Sequence, residues 1–168
     1  MGRLRRRLVI LNYAYGYDEA VAKFTADLIP SVRERGFGKC ATIGVVEGGM
    51  LIAGLVYHNW DPAAETIEIS GAALPGHYWL TRETLKVMYQ YPFFGCQCQM
   101  VINRVPAEDE RQLRQLAAFN YSFIRVPRGL GRNKDLVLCL LTREAWEGNR
   151  FNKRLQHHIG VEPKQEAA

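Results

Sequence analysis

The sequence predicts an α/β domain of the mixed, α+β kind, with a mostly antiparallel central sheet of six to seven strands flanked by helices. Three observations carry that expectation. Apolar runs with strand character alternate with amphipathic helical stretches in the order strand, helix, three strands, helix, strand, helix, hairpin. The three middle strands follow one another across short turns alone, which makes them antiparallel neighbours. The length of 168 residues, with 48% hydrophobic and 23% charged, suits one continuous core.

Val9 to Tyr13 is the first strand. "YDEAVAKFTADLIP" places Ala20, Val21, Phe24, Leu28 and Ile29 at helical spacing, with Asp18 as N-cap and Pro30 just past the end. "CATIGVV" and "MLIAGLVYHNW" are joined at Glu47-Gly48-Gly49, a hairpin signal because glycine accepts the positive φ of a tight turn. After the turn "DPAAE", the run Thr66 to Ala73 completes a meander. Thr81 caps a helix through "RETLKVMYQY" that Pro92 ends. "CQCQMVINRV" is the next strand. "PAEDERQLRQLAAF" is a helix with an acidic first turn, as its dipole favours, and with Leu113, Leu116, Ala117 and Phe119 facing inward. "YSFIRVP" and "KDLVLCLLT" form a hairpin around the basic loop "RGLGRN". One domain is expected over residues 1–146, and a polar helix fraying into a tail over 147–168.

No run is apolar enough to span a bilayer, and the stretch after the first arginines is apolar only from Leu8 to Leu11, so a cytoplasmic protein without a membrane partner is expected. The formal charge of +5 is concentrated at Arg3, Arg5, Arg6 and Arg7 and again at Arg125, Arg128, Arg132 and Lys134, groups suited to an acidic cofactor, nucleic acid or water. Cys40, Cys96, Cys98 and Cys139 lack metal-ligand spacing, so no metal site is expected and the thiols read as buried and free.

The segment "IGVVEGGMLIAGLVYHNWDPAAETIEIS" resembles the central meander of the GNAT N-acetyltransferase superfamily, and "RVPAEDERQLRQLAAFNYSFIRVP" resembles its later strand, helix and strand. Asn120-Tyr121 stands where that superfamily usually has Gly-Phe. From about Gly36 to Trp146 the chain is also similar to compact GNAT proteins of bacteriophages and prophages, in which a "YPF" stands as Tyr91-Pro92-Phe93 does here. The resemblance implies a sheet splayed between strands four and five, with acetyl-CoA or a related acyl-CoA in the opening and its pantetheine arm along strand four. Cofactor contacts are then expected at Gly71, Ala72, Ala73 and Leu74. Gly71 is permissive of a bulge that would turn the amide of Ala72 or Ala73 toward a thioester carbonyl. The superfamily's glycine-rich phosphate loop is replaced by "HYWLTRE", so Trp79, Leu80, Thr81 and Arg82 are the remaining phosphate-side candidates, with the bare helix terminus favouring an anion. Asp109 stands where relatives carry an asparagine that contacts the cofactor.

Acetyl transfer requires a base to deprotonate the amine. Thr66, Glu68 and Ser70 share one face of the fourth strand, and Glu68 is the base candidate, acting directly or through water. His58, near the end of the preceding strand, is the candidate to assist it or to contact the acceptor. The superfamily's usual acid, a tyrosine, falls at Leu116 here; Tyr121, nearby in sequence, is the alternative acid. The leading expectation is an acyl-CoA-dependent N-acetyltransferase of an unidentified amine acceptor. Two others stand beside it: a nucleic-acid-associated protein on the same fold, using the basic N-terminus and the 128–134 loop, or a catalytically degenerate binding protein. The oligomeric state is open, a homodimer included.

Overall fold

Alternating apolar residues in the first half of the chain build a mixed sheet, seen in a computed structural model that describes residues 9–152. The arginines Arg3, Arg5, Arg6 and Arg7 and most of the expected tail lie outside the described residues. The chain divides into two compact units that part between Arg104 and Val105. The fold is mixed α/β, with seven strands among the described residues, mostly antiparallel in their pairings and with one parallel pair.

In the first unit β1 (Leu11–Ala14), β2 (Cys40–Glu47), β3 (Met50–Asp61) and β4 (Thr66–Ala73) form consecutive antiparallel pairs. The parallel partner of β4 is β5 (Met100–Pro106), which begins in this unit. The β2–β3 turn is the two glycines alone, Gly48 at φ 57° and Gly49 at φ 81°, the pair of positive values that a two-residue turn of this hand needs. Helix α1 (Asp18–Asp27) covers the face of β2 and β3 that carries Gly44 and Gly54. Its inward residues are Val21, Thr25 and Ala26. Ala20, expected to face inward, is exposed, because Gly54 leaves room for Thr25 to enter. Asp18 does not cap this helix: its carboxylate accepts from the Thr42 amide at 2.8 Å and the Thr42 hydroxyl at 2.9 Å, tying the helix start to β2.

Helix α2 (Arg82–Gln90) covers the opposite face, where the buried Tyr57 hydroxyl donates to the Met88 carbonyl at 2.7 Å. Pro92 does not end the helical path. It sits at the start of a π turn over Tyr91–Gly95, since a missing N–H costs nothing in a first turn, and the Cys96 amide reaches back to the Tyr91 carbonyl at 2.9 Å.

The second unit holds α3 (Glu110–Ala118), the antiparallel hairpin of β6 (Ser122–Gly131) and β7 (Lys134–Thr142), and α4 (Arg143–Glu147). Leu116 and Phe119 are buried as expected, whereas Ala117 faces solvent. Asn120 takes φ 68° just past α3. The Tyr121 amide donates to Leu116 and the Asn120 amide to Ala117, the two bonds of a helix stop that demands a left-handed residue. Asparagine tolerates that conformation, which explains its use where glycine is usual. The predicted loop "RGLGRN" is mostly strand: β6 continues to Gly131, leaving Arg132 and Asn133 as the turn. Asp135 makes this possible by accepting from the Arg128 amide and the Arg125 guanidinium, both at 2.9 Å, across an irregularity in the ladder.

Candidate active site

The site is built around a fork. β4 and β5 pair at Thr66 with Met100, Ile67 with Val101 and Glu68 with Ile102, and there the ladder stops although β4 runs on to Ala73. Beyond the last pair, the Asn103 side-chain amide donates to the Ile69 carbonyl at 3.0 Å. Leu74 donates its amide to Ile52 on the β3 side at 2.8 Å. Backbone groups alternate along a strand, so those of Ala72 and Leu74 face β3, while those of Gly71 and Ala73 face the side that β5 has left. The expected bulge at Gly71 is absent: Leu55 with Gly71, Gly54 with Ala72 and Ala53 with Ala73 pair in unbroken register. A side chain at Gly71 would press on Leu55 and approach Trp79, so this glycine accommodates close packing.

The irregularity lies one strand away. Between the pairs His58–Glu68 and Asp61–Thr66, β3 carries one residue more than β4, and Asn59 takes φ 49° to absorb it. This bulge ends the regular strand at His58. The imidazole Nε2 lies 2.9 Å from the Ser70 hydroxyl and Nδ1 lies 3.9 Å from a Glu68 carboxylate oxygen, while the Phe37 ring packs against it with centroids 5.0 Å apart. Glu68, Ser70 and His58 thus occupy the face of the sheet that α1 covers, and Ile67 and Ile69, both buried, occupy the other.

Burial pulls the His58 pKa below its ordinary value; Glu68 opposes this, and Arg35 and Arg104 reinforce it. The imidazole is therefore neutral at pH 7 and able to accept a proton. The unfolded chain takes up that proton near pH 6.5, before the folded chain does. This contribution to stability is therefore complete above about pH 6.5 and is lost as the pH falls toward the lower folded value. We expect urea midpoints measured between about pH 8 and about pH 5 to fall less steeply in His58→Gln than in the parent. Parallel curves would contradict the assignment.

Trp79 and Ala73 pack against the core cluster of Val45, Ile52 and Ala53. Leu80 is half-buried, and Thr81 is the N-cap of α2, accepting from the Thr84 amide at 3.1 Å. The buried Thr84 hydroxyl locks this corner by donating to the Trp79 carbonyl at 2.6 Å and lying 2.9 Å from the Tyr13 hydroxyl. The first-turn amides of Arg82 and Glu83 are left outside this network, and the Arg82 side chain is exposed. In the second unit, Asp109 caps α3 by accepting from the Gln112 amide at 3.1 Å, and Tyr121 is buried. Arg125 pairs with Asp135 at 2.8 Å and Lys134 with Glu108 at 3.5 Å, so these two cations of the basic hairpin are engaged within the chain. Of the four thiols, Cys98 and Cys139 are buried and pushed by burial up to about 11, while Cys40 and Cys96 are half-buried.

A groove of about 630 Å³ runs between α1 and residues 33–40. Phe37, which packs on His58, and Cys40, which pairs with His58 across β2 and β3, both line it. Four acidic and four basic side chains line it too, so its charge is balanced.

No family model matches the chain, and no curated protein does. Solved structures do. A spermidine N-acetyltransferase variant from Vibrio cholerae, SpeG, is matched over 82% of this chain and 96% of its own, with TM-score 0.66 and 11% identity. YncA from Salmonella typhimurium, solved with its cofactor acetyl-CoA, is matched over 79% of this chain and 93% of its own, with TM-score 0.60 and 13% identity. A "Probable acetyltransferase" is matched over 64% of each chain, with TM-score 0.56 and 18% identity. The chain has the GNAT fold.

Within that fold the sequence pointed to Glu68 and His58, and the structure brings them together. Ser70 was placed on the Glu68 face but given no role, and Asn103 went unnoticed. Strand alternation already put Ser70 beside Glu68, so its signal was present. Asn103 carried none, because its importance depends on where the β4–β5 ladder stops.

Proposed function

We propose that the chain is an acyl-CoA-dependent N-acetyltransferase that transfers an acetyl group from acetyl-CoA, or a related acyl group, to an amine. The observation that supports this best is the fork: β4 presents the backbone of Gly71 and Ala73 along its freed edge, and Glu68, His58 and Ser70 gather on one face at its base. The residues present fit the donor unevenly. The freed edge suits an amide-containing arm, which adds to it as a further strand would. The phosphate end has the Arg82 and Glu83 amides, the helix dipole and the Arg82 cation in place of a glycine cradle.

Bound acyl-CoA supplies an acyl group activated as a thioester. Of the two amides expected to turn toward the donor, that of Ala72 is committed to β3, whereas that of Ala73 faces the freed edge. Glu68 accepts the proton that the amine releases, directly or through one water, as the amine nitrogen bonds to the acyl carbon and the thioester C–S bond breaks; the departing thiolate takes its proton from water. Neutral His58 holds Ser70 and orients the polar face around that carboxylate. The neighbouring groove opens beside this face and receives the acceptor. Its balanced charge favours neither a polycation nor a polyanion, so an acceptor with a single amine suits it better than a polyamine or a nucleic acid.

Acetyl-CoA at millimolar concentration is expected to raise the thermal midpoint of the full chain, with Arg82→Ala reducing the affinity by about two- to fivefold and adding salt removing that difference. No shift with acetyl-CoA would sink the acyltransferase reading.

A further inference from the structure

Asn103 is the first residue of β5 beyond the last β4–β5 pair, and its side chain crosses to the Ile69 carbonyl at 3.0 Å. That bond fixes the orientation of the amide: Nδ2 is the donor, so Oδ1 is the group left over. Oδ1 is buried and has no hydrogen-bond partner among the described residues. A buried acceptor without a donor is unusual in a native fold and marks a place where a ligand or water completes the structure.

Strand alternation decides which ligand. Asn103 shares its face with Val101, which pairs with Ile67; it therefore lies on the side of Ile67, Ile69 and Gly71, opposite Glu68 and Ser70. That side is the one on which Trp79 approaches Gly71 and α2 packs through the Tyr57–Met88 bond. An acyl donor anchored at the α2 start reaches the fork along this side, whereas an amine meets Glu68 from the other. We propose that Asn103 is a positioning residue whose Oδ1 accepts an N–H from the pantetheine arm of the acyl donor at the point where the arm enters the fork. Its Nδ2 meanwhile occupies the Ile69 carbonyl, so that the arm registers on Gly71 and Ala73 instead of slipping one step toward Ile69. A pantetheine arm has two amide N–H groups, and one directed at Oδ1 leaves the other for the β4 edge.

This inference rests on the acyl-CoA reading, and the test separates the two. Affinities of the full chain for acetyl-CoA and for ADP, which carries the pyrophosphate but no pantetheine, are measured for the parent, Asn103→Leu and Asn103→Ser, together with the ligand-free thermal midpoint. The expected result is an acetyl-CoA affinity about three- to tenfold weaker in both variants with the ADP response unchanged. A merely structural role would lower the ligand-free midpoint and weaken both ligands by the same factor, which overturns the proposal, as do unchanged affinities for acetyl-CoA. If Asn103→Leu fails to fold, Asn103→Ser decides. An absent response of the parent to acetyl-CoA overturns the acyl-CoA reading itself, and this inference with it.

Discussion

Glu68→Gln is expected to lower the acetylation rate at saturating acetyl-CoA by about a hundredfold, the order of effect of removing a positioned base. Glutamine keeps the size and hydrogen-bonding shape of the side chain but accepts no proton at neutral pH. Its neighbours on the sheet, His58 at 3.9 Å and Ile102 across the ladder, should keep their places. The acetyl-CoA-induced thermal shift should therefore be retained while turnover falls. Raising the pH restores part of the rate if the base acts on an amine that is otherwise protonated, because the fraction of neutral amine then rises without help. Parental turnover in Glu68→Gln would remove Glu68 from the chemistry.

Gly54→Val should be strongly destabilising, costing about 3 kcal/mol in unfolding free energy. A Cβ at Gly54 would collide with the Thr25 hydroxyl and come within 3.1 Å of Val21. Neither neighbour has an easy retreat. Thr25 is fully buried and donates to the Val21 carbonyl at 2.8 Å, and helix α1 is held from its other end by Asp18 on Thr42. The diagnostic measurement is a double-mutant cycle with the gentler Gly54→Ala. In a Thr25→Ala background the nearest obstacle is gone, so Gly54→Ala should cost clearly less there than in the parent. Equal costs in the two backgrounds would show that the close approach of α1 to β3 is not what requires the glycine. The same collision bears on activity, because displacing α1 disturbs the groove it shares with residues 33–40.

Much of this molecule is legible in its sequence alone. β4 runs from Thr66 to Ala73 as its alternation implies, the Gly48-Gly49 turn joins β2 to β3, and Thr81 caps α2. Each depends on residues close together in the chain: a two-residue period, a pair of glycines able to take positive φ, a hydroxyl three residues before an open amide. The sharing of one face by Glu68 and Ser70 belongs to the same class, and it is enough to nominate a base.

What only the tertiary structure decided depends on partners far along the chain. Asp18 has the sequence context of a helix cap, but Thr42, 24 residues away, offers its carboxylate two hydrogen bonds. The extra residue of the sheet was expected at Gly71 and lies instead beside His58, because register is settled by how two strands meet, and glycine permits a bulge without requiring one. Asn103 acquires a role only because β5 parts from β4 next to it and leaves its Oδ1 buried without a donor. Sequence by itself determined the elements and the faces on which their side chains stand, since backbone sterics and local hydrogen bonds act over a few residues. The structure decided which carboxylate, imidazole and amide meet at the fork, since those contacts follow from strand register, which many distant pairs set together.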